Sequence, residues 1–326
     1  MRLENKAGRR NRRLEQQSLL KLFPVPNEAN KLVPCISSIN NKEALISFPR
    51  RMMLGRNNQI YISDSREHAI FIFGPAGETK KKMGYYGQGP GEFVEPSFIS
   101  EAPQGKVAVL DSKILRIQFF DKQGNYLNSF HIFKPCFSMG IDKEGLIYTN
   151  LFDINNDAPL IHIFDESGRP SGQIGTRLKG NSPFFNEIEM SIIDEGVFIA
   201  WKTFPLIRKY SKSGKLLFEH YLDYGPLREY GDINKSAANI NGRTVYKNII
   251  WNIWAEKDFY YILIAFPRLE ILKIDLQGKI LKTYWDEVPD DFYASDFSVQ
   301  REGTDLKIFI LELGPVPHIR AYRAKE

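Results

Sequence analysis

Few side chains in this sequence have types and positions suited to chemistry. His68 and His318 could each offer an imidazole nitrogen to a metal ion. Glu92, Asp111, Asp153 and Asp157 could serve as carboxylate ligands or general acids and bases. Gln88 could add an amide, and Arg268 is a further candidate binding residue. The stretch GYYGQGPGEF, residues 84–93, packs four glycines and a proline into ten residues and invites comparison with a phosphate loop. Gly87, Gly89 and Gly91 form G-x-G-x-G, however, which is neither the dinucleotide nor the nucleoside-triphosphate pattern. No helical pattern follows to aim a positive N-terminus at an anion, so phosphate binding is rejected. Gln88 and Glu92 read either as ligand groups or as side chains that bond local backbone to hold a glycine-rich turn. There is no G-x-S-x-G, no H-E-x-x-H and no cysteine with a positioned histidine, so no catalytic nucleophile is identified. His131, His162 and His220 fall in or beside strand patterns and read as packed or edge residues.

The elements that must position these groups form a repeat. An apolar strand ends in a polar turn with glycine at IFIFGPAG (70–77), IQFFDKQG (117–124), IHIFDESG (161–168), IRKYSKSG (207–214) and LKIDLQG (272–278). The turn glycines lie 47, 44, 46 and 64 residues apart. This is hairpin chemistry: Asp or Ser opens the turn and Gly takes the positive φ. A second, almost continuously apolar strand precedes each, at 60–63, 106–110, 146–150, 196–201, 259–266 and 306–313. Continuous apolarity marks a sheet packed on both faces. A four-strand unit repeating every ~45 residues is a propeller blade.

Tyr322 stands where Phe73, Phe120, Phe164, Tyr210 and Ile274 stand, which makes six units. The sixth ends without its fourth strand, and an open edge would leave unpaired backbone groups. The sequence therefore predicts an all-β, six-bladed β-propeller whose ring is closed by an N-terminal strand, assigned to residues 18–26 beside 318–323. The domain reading is a basic flexible arm at 1–17 followed by the propeller at 18–326. The 64-residue spacing marks an insertion at 222–248, polar and rich in Asn and Gly, expected over the channel face as a lid, a partner contact or a surface excursion. The inner strand after it carries Trp251 and Trp254, read either as blade-to-blade packing or as a stacking surface in the channel.

GYYGQGPGEF lies at the crossing between the first and second blades. Pro135 with Phe137, Pro183 with Phe184 and Phe185, Pro226 with Tyr230, and Pro289 with Phe292 recur at the later crossings, as Pro90 does with Phe93. A repeated proline and aromatic read as architecture, the ring wedging between blades. The string GQGPGEF, the I-x-[IV]-F-x-x-x-G turns and the strand Ile60 to Asp64 resemble bacterial six-bladed β-propeller proteins related to NHL repeats and the TolB-like superfamily, over about residues 18–324. That resemblance implies a ligand or partner bound at one end of the central channel, and export in many members. Related propeller enzymes include metal-dependent lactonases and zinc lyases that use several inward carboxylates, amides or histidines. Asp64 and Asp111 both end second strands, and that repetition favours bonding of turn backbone.

Composition narrows the function classes. The chain has 326 residues, 43% hydrophobic and 25% charged, as a folded domain should. Its net charge of +5 sits in residues 1–13, leaving 38 basic and 38 acidic residues elsewhere. A neutral body carries no nucleic-acid footprint, and the basic arm reads as a solvated terminus. No run reaches the ~18 apolar residues of a membrane span. The basic start is not followed by an apolar signal-type segment. Two cysteines, Cys35 and Cys136, make neither a disulfide scaffold nor a metal motif; they read as buried thiols or as one bridge. The leading expectation is a binding or scaffold module that uses its channel face for a ligand or protein partner, with His68, Gln88, Glu92, Asp111, Asp153, Arg268 and His318 as candidate binding residues. The alternative is a metal-dependent propeller enzyme, a lactonase-like hydrolase or a lyase, which requires three or more converging Glu, Asp, Asn or His side chains.

Overall fold

The structure, a computed structural model, describes residues 25–39, 46–180, 182–235, 239–240, 243–244, 246–265, 268–288, 293–314 and 316–326. Six antiparallel four-stranded sheets follow one another around a ring. Blade one holds Pro49–Leu54, Ile60–Asp64, Ala69–Phe73 and Thr79–Met83. Blade two holds Pro96–Glu101, Val107–Asp111, Arg116–Phe120 and Tyr126–His131. Blade three holds Cys136–Ile141, Ile147–Leu151, Pro159–Phe164 and Pro170–Thr176. Blade four holds Ile188–Ile193, Gly196–Trp201, Leu206–Tyr210 and Leu216–Tyr221. Blade five holds Asn252–Ala255, Phe259–Ile264, Leu269–Asp275 and Ile280–Asp286. Blade six holds Ala294–Glu302, Asp305–Glu312, His318–Lys325 and, from the start of the chain, Val33–Ile39.

The second strands are the most buried part of the molecule. Every residue of Ile60–Asp64, Val107–Asp111, Ile147–Leu151 and Gly196–Trp201 is buried. That is why their sequences show no polar alternation. Outermost strands face solvent, as in Thr79–Met83, with sequence TKKKM. Six apolar clusters form, each joining two neighbouring blades: Phe71 with Leu311 between blades one and six, Val109 with Ile72 between one and two, and so on around the ring. Tyr322 pairs with Ile308 as Phe73 pairs with Ile60 and Phe120 with Val107, so the sixth unit is a full blade. The turns follow the expected chemistry. Asp121 accepts from the amides of Gln123 and Asn125, and Gly124 takes φ 79°.

The strand beside His318–Lys325 differs from the expectation. Val33–Ile39 occupies that edge, pairing from Val33 with Arg323 to Ile39 with Ile319. The assignment to residues 18–26 is thereby corrected: Val25 and Pro26 lie outside any strand, and 18–24 lie outside the described residues. The physical reason is exposure. An outermost strand needs no apolar content and tolerates Pro34, which lacks a ladder N–H, so VPCISSI qualifies without the apolar content of SLLKLFPVP. Phe292 and Pro289, part of the crossing series, also lie outside the described residues.

The insertion carries an α-helix, Gly225–Lys235, and two paired two-residue strands, Asn239–Ile240 and Arg243–Thr244. Leu227 and Tyr230 are buried in the cluster between blades four and five. The Asn234 amide donates to the carbonyls of Thr203 and Lys247. Thr203 lies in the turn between second and third strands of blade four, so the helix packs at the end of the propeller where the blade crossings also lie. No helix among the described residues is long and apolar enough to cross a membrane. Cys35 and Cys136 are free thiols.

Candidate functional site

The glycine-rich crossing is a tied corner. The Arg116 guanidinium donates to the carbonyls of Gln88, Gly89 and Glu92, at 2.6, 3.0 and 2.9 Å. Gln118 donates to the Glu92 carbonyl and accepts from Gly91 N–H. The Glu92 carboxylate accepts from Gly89 N–H at 2.7 Å, while Gln88 is exposed. Phe93 is fully buried against Phe120. These contacts hold the loop to the third strand of blade two.

The other sequence candidates stand apart from one another. Asp111 is buried, and its two oxygens accept from the amides of Val94, Glu95 and Lys113. Asp64 does the same for Ser47, Phe48, Arg66 and Glu67. Each aspartate thus ties an incoming crossing to its own blade's turn. His68 donates from Nδ1 to the Val94 carbonyl at 2.7 Å and meets the Tyr86 ring edge-on. His318 donates from Nδ1 to Val316 and faces the Glu312 carboxylate through Nε2 at 3.0 Å. That carboxylate raises the His318 pKa above the usual imidazole value despite partial burial. His68 is thus engaged with the crossing into blade two and His318 within blade six. Asp153 pairs with Lys134, which lowers its pKa, and Asp157 is exposed in the neighbouring turn. Arg268 is buried against Glu270 at 2.9 Å, and Glu270 also accepts from the Tyr224 hydroxyl of the insertion. These candidates are therefore distributed around the rim of several blades.

What converges is a set of residues near the start of the innermost strands. Arg51 of blade one reaches across the ring to Glu189 of blade four, with Nη2 to Oε1 at 2.5 Å. Lys202, just after the second strand of blade four, sits 2.7 Å from Glu187 and 3.5 Å from Glu189. Asn252 of blade five donates to Asp296 of blade six, which also accepts from Met52 N–H at 2.9 Å. The register slips between Pro49 and Arg51, Cys136 and Ser138, and Ala294 and Asp296. Such bulges twist a strand and redirect its side chains, and they recur beside functional sites.

Burial sets the electrostatics. It opposes the Arg51 charge, but Glu189, Asp296 and Glu187 more than offset this and hold its pKa above the usual value. Burial pushes Asp296 up to about 6, with Arg51 and the Met52 amide pulling it back. Burial also pushes the Cys136 thiol up to about 12, so it is not a nucleophile at neutral pH.

Arg51 separates two spaces. Outside it lies a mouth of about 320 Å³, walled by Phe48, Phe98, Phe137, Trp251 and Tyr293, with Lys202 and Glu187 beside Arg51 at its base. Inside lies a cavity of about 280 Å³, where Glu189, Asn252 and Asp296 give way to Met52, Met139, Ile253 and Trp254. Both tryptophans thus line the channel. The Arg51 guanidinium lies 4.5 Å from the Phe98 ring, and Trp251 meets Tyr293 edge-on at 4.5 Å. The sequence reading missed Arg51, Glu187, Glu189, Lys202, Asn252 and Asp296. The available signal was a polar residue near the start of several inner strands, inside otherwise apolar runs.

Among the described residues, no group of three or more His, Cys, Asp or Glu side chains could hold a metal ion. A search of curated protein sequences finds no match. A family model described as a 6-bladed beta-propeller matches residues 41–162. A solved Bacteroides fragilis protein whose export is predicted superposes with a TM-score of 0.65 at 12% identity, over 93% of this chain and 98% of that one. A Bacteroides vulgatus protein gives 0.60 at 12% identity, again over 93% and 98%. Virginiamycin B lyase from Staphylococcus aureus gives 0.55 at 13% identity, over 84% of each chain. Identities this low speak to architecture alone, and together with the six sheets they establish that the chain is a six-bladed β-propeller.

Proposed function

We propose that this propeller is a binding module that holds a small ligand in the outer mouth of its central channel. The observation that carries this reading is a set of four buried or half-buried charges, Arg51, Glu187, Glu189 and Lys202, beneath an aromatic-walled opening of about 320 Å³. Taking charges out of water is costly, and replacing such groups with apolar residues is often neutral or stabilising. Retained polar groups converging at a concave, aromatic-lined opening fit a recognition site.

The metal-dependent enzyme is the weaker reading. Glu189, Asn252 and Asp296 supply the acidic and amide groups such an enzyme needs, but Arg51 sits among them and already satisfies Glu189 with a fixed positive charge. A divalent cation there would have to displace a guanidinium. The donor set does not fit one.

A thermal-shift screen tests the proposal. The panel is neutral sugars, amino acids, nucleosides and small carboxylic acids, together with Ca²⁺, Zn²⁺ and Mn²⁺. A ligand that binds the folded state raises the melting temperature by mass action. Stabilisation by an organic compound, lost in Trp251→Ala, is the expected result. Stabilisation by metal alone, unchanged in Trp251→Ala and Lys202→Met, would overturn it.

A further inference from the structure

We infer that the ligand of the channel mouth is a neutral carbohydrate; the inference rests on the binding reading above. It follows from the charge balance and from the walls. Lys202 is matched by Glu187 at 2.7 Å, and Arg51 by Glu189 at 2.5 Å. Beside them, Arg50 is matched by Glu95 at 3.0 Å. Each cation lining the mouth therefore already has a carboxylate partner. An anion or a cation entering it would have to take one member of a pair and strand the other in a half-buried site, an arrangement that works against affinity.

A neutral polyhydroxyl ligand has no such conflict. Neighbouring hydroxyls can donate to the Glu187 carboxylate and accept from the Lys202 ammonium while the ion pair stays intact, because both groups have more hydrogen-bonding capacity than one partner uses. Glu187, Arg51 and Lys202 keep 22%, 14% and 11% of their side-chain surface exposed, against 4% for Glu189, so these three are the charged groups at the base of the mouth that a ligand can reach. The walls supply the other half of sugar recognition. Trp251 and Tyr293 stand edge to face at 4.5 Å, and Tyr293 and Phe48 remain 40% and 41% exposed at the opening. Flat rings with an apolar face and a wet edge suit the C–H faces of a pyranose. The size also decides something. A space of about 320 Å³ is at the small end of ligand pockets and admits one or two sugar rings, not a buried oligosaccharide.

The test is fluorescence and calorimetric titration of the full chain. The neutral probes are the methyl glycosides and disaccharides of glucose, galactose, mannose, xylose and N-acetylglucosamine. Glucuronate, galacturonate and glucosamine are their charged counterparts. At least one neutral sugar should bind saturably and perturb tryptophan emission. Its affinity should fall about tenfold or more in Trp251→Ala and stay within about threefold in Trp251→Phe, which keeps a stacking face. Glu187→Gln should weaken it too, and the acidic counterpart of the same ring should bind less tightly. Melting curves of each variant separate lost recognition from lost folding. If no neutral sugar binds while another compound of the thermal-shift panel binds in a Trp251-dependent way, the carbohydrate inference falls and the binding module stands. If nothing in either panel binds, both fall.

Discussion

Asp296 shows how far the channel departs from ordinary solvent. Its folded pKa of about 6 lies above its ordinary 3.8 because it is buried, so the folded protein holds a proton that the unfolded chain releases. Below about pH 4 the acid is protonated in both states and its contribution to stability is fully present. As pH rises from about 4 to 6 the unfolded chain ionises first, and that contribution is lost, by about 2–3 kcal/mol in all. Denaturant titrations should therefore show the stability of the wild type, relative to Asp296→Asn, falling between pH 4 and pH 7; a difference that stays flat would refute the assignment. Asp111 is a structural acceptor of four backbone amides, those of Val94, Glu95, Lys113 and Ile114. Asp111→Ala strands those donors and should cost about 2–4 kcal/mol by chemical denaturation, whereas Asp157→Ala, at an exposed turn, should stay within about 0.5. The role of Asp64 and Asp111 was legible because it repeats at one place in two blades. The channel set was not. Arg51, Glu189, Asn252 and Asp296 belong to four blades and meet through the closed circle alone, so no local spacing links them.

At the level of elements, legibility followed burial. Gly196–Trp201 was readable to the residue because each of its positions faces protein and each is apolar. Thr79–Met83 is largely exposed and Val33–Ile39 is the edge strand of its sheet, and nothing in TKKKM or VPCISSI announces a strand except its place after a turn or before an open edge. The helix Gly225–Lys235 was hidden for another reason. Its composition is polar, and its buried face, Leu227, Tyr230 and Asn234 at i, i+3 and i+7, is short and includes an amide, so it leaves little apolar pattern to read. GYYGQGPGEF lies between these cases. Its glycines let the chain pass close to Phe93, so that a side-chain carbon on Gly84 would stand 2.4 Å from that ring. The ring in turn fills the space between the first two blades. Phe93→Ala should destabilise the protein by about 3–5 kcal/mol, the usual range for an emptied aromatic site. Hydrogen exchange should show the loss concentrated in residues 84–93 and 116–120. Equal loss in the distant blades four and five would mean that the ring, not the corner, responds.

The whole molecule stands on one junction. Each of the six apolar clusters joins two blades, so a break anywhere opens two blade faces to water. Five blades take all four strands from one continuous stretch of chain, and the sixth takes its outer strand from the other end. The same N-terminal segment also ties blade five. Trp285 donates its indole N–H to the Asn27 carbonyl, and its own carbonyl accepts from Leu32 N–H, just before Val33 enters blade six. Leu32 is buried in the cluster shared by those two blades. Residues 27–39 therefore act as a clasp across the last two blades, joined to the start of blade one. Removing 1–39 leaves His318–Lys325 with an unpaired edge, which both destabilises a sheet and templates association. The expected result is a fall in melting temperature of about 10 °C or more and a shift toward oligomers on size exclusion. A synthetic peptide of residues 27–39 added to that truncated chain should restore the melting temperature and the elution position of the full chain. Removing 1–24 leaves the clasp whole and should change neither. Should the shorter truncation prove as damaging as the longer one, the junction would lie upstream of Val33, where the apolar run SLLKLF first suggested it.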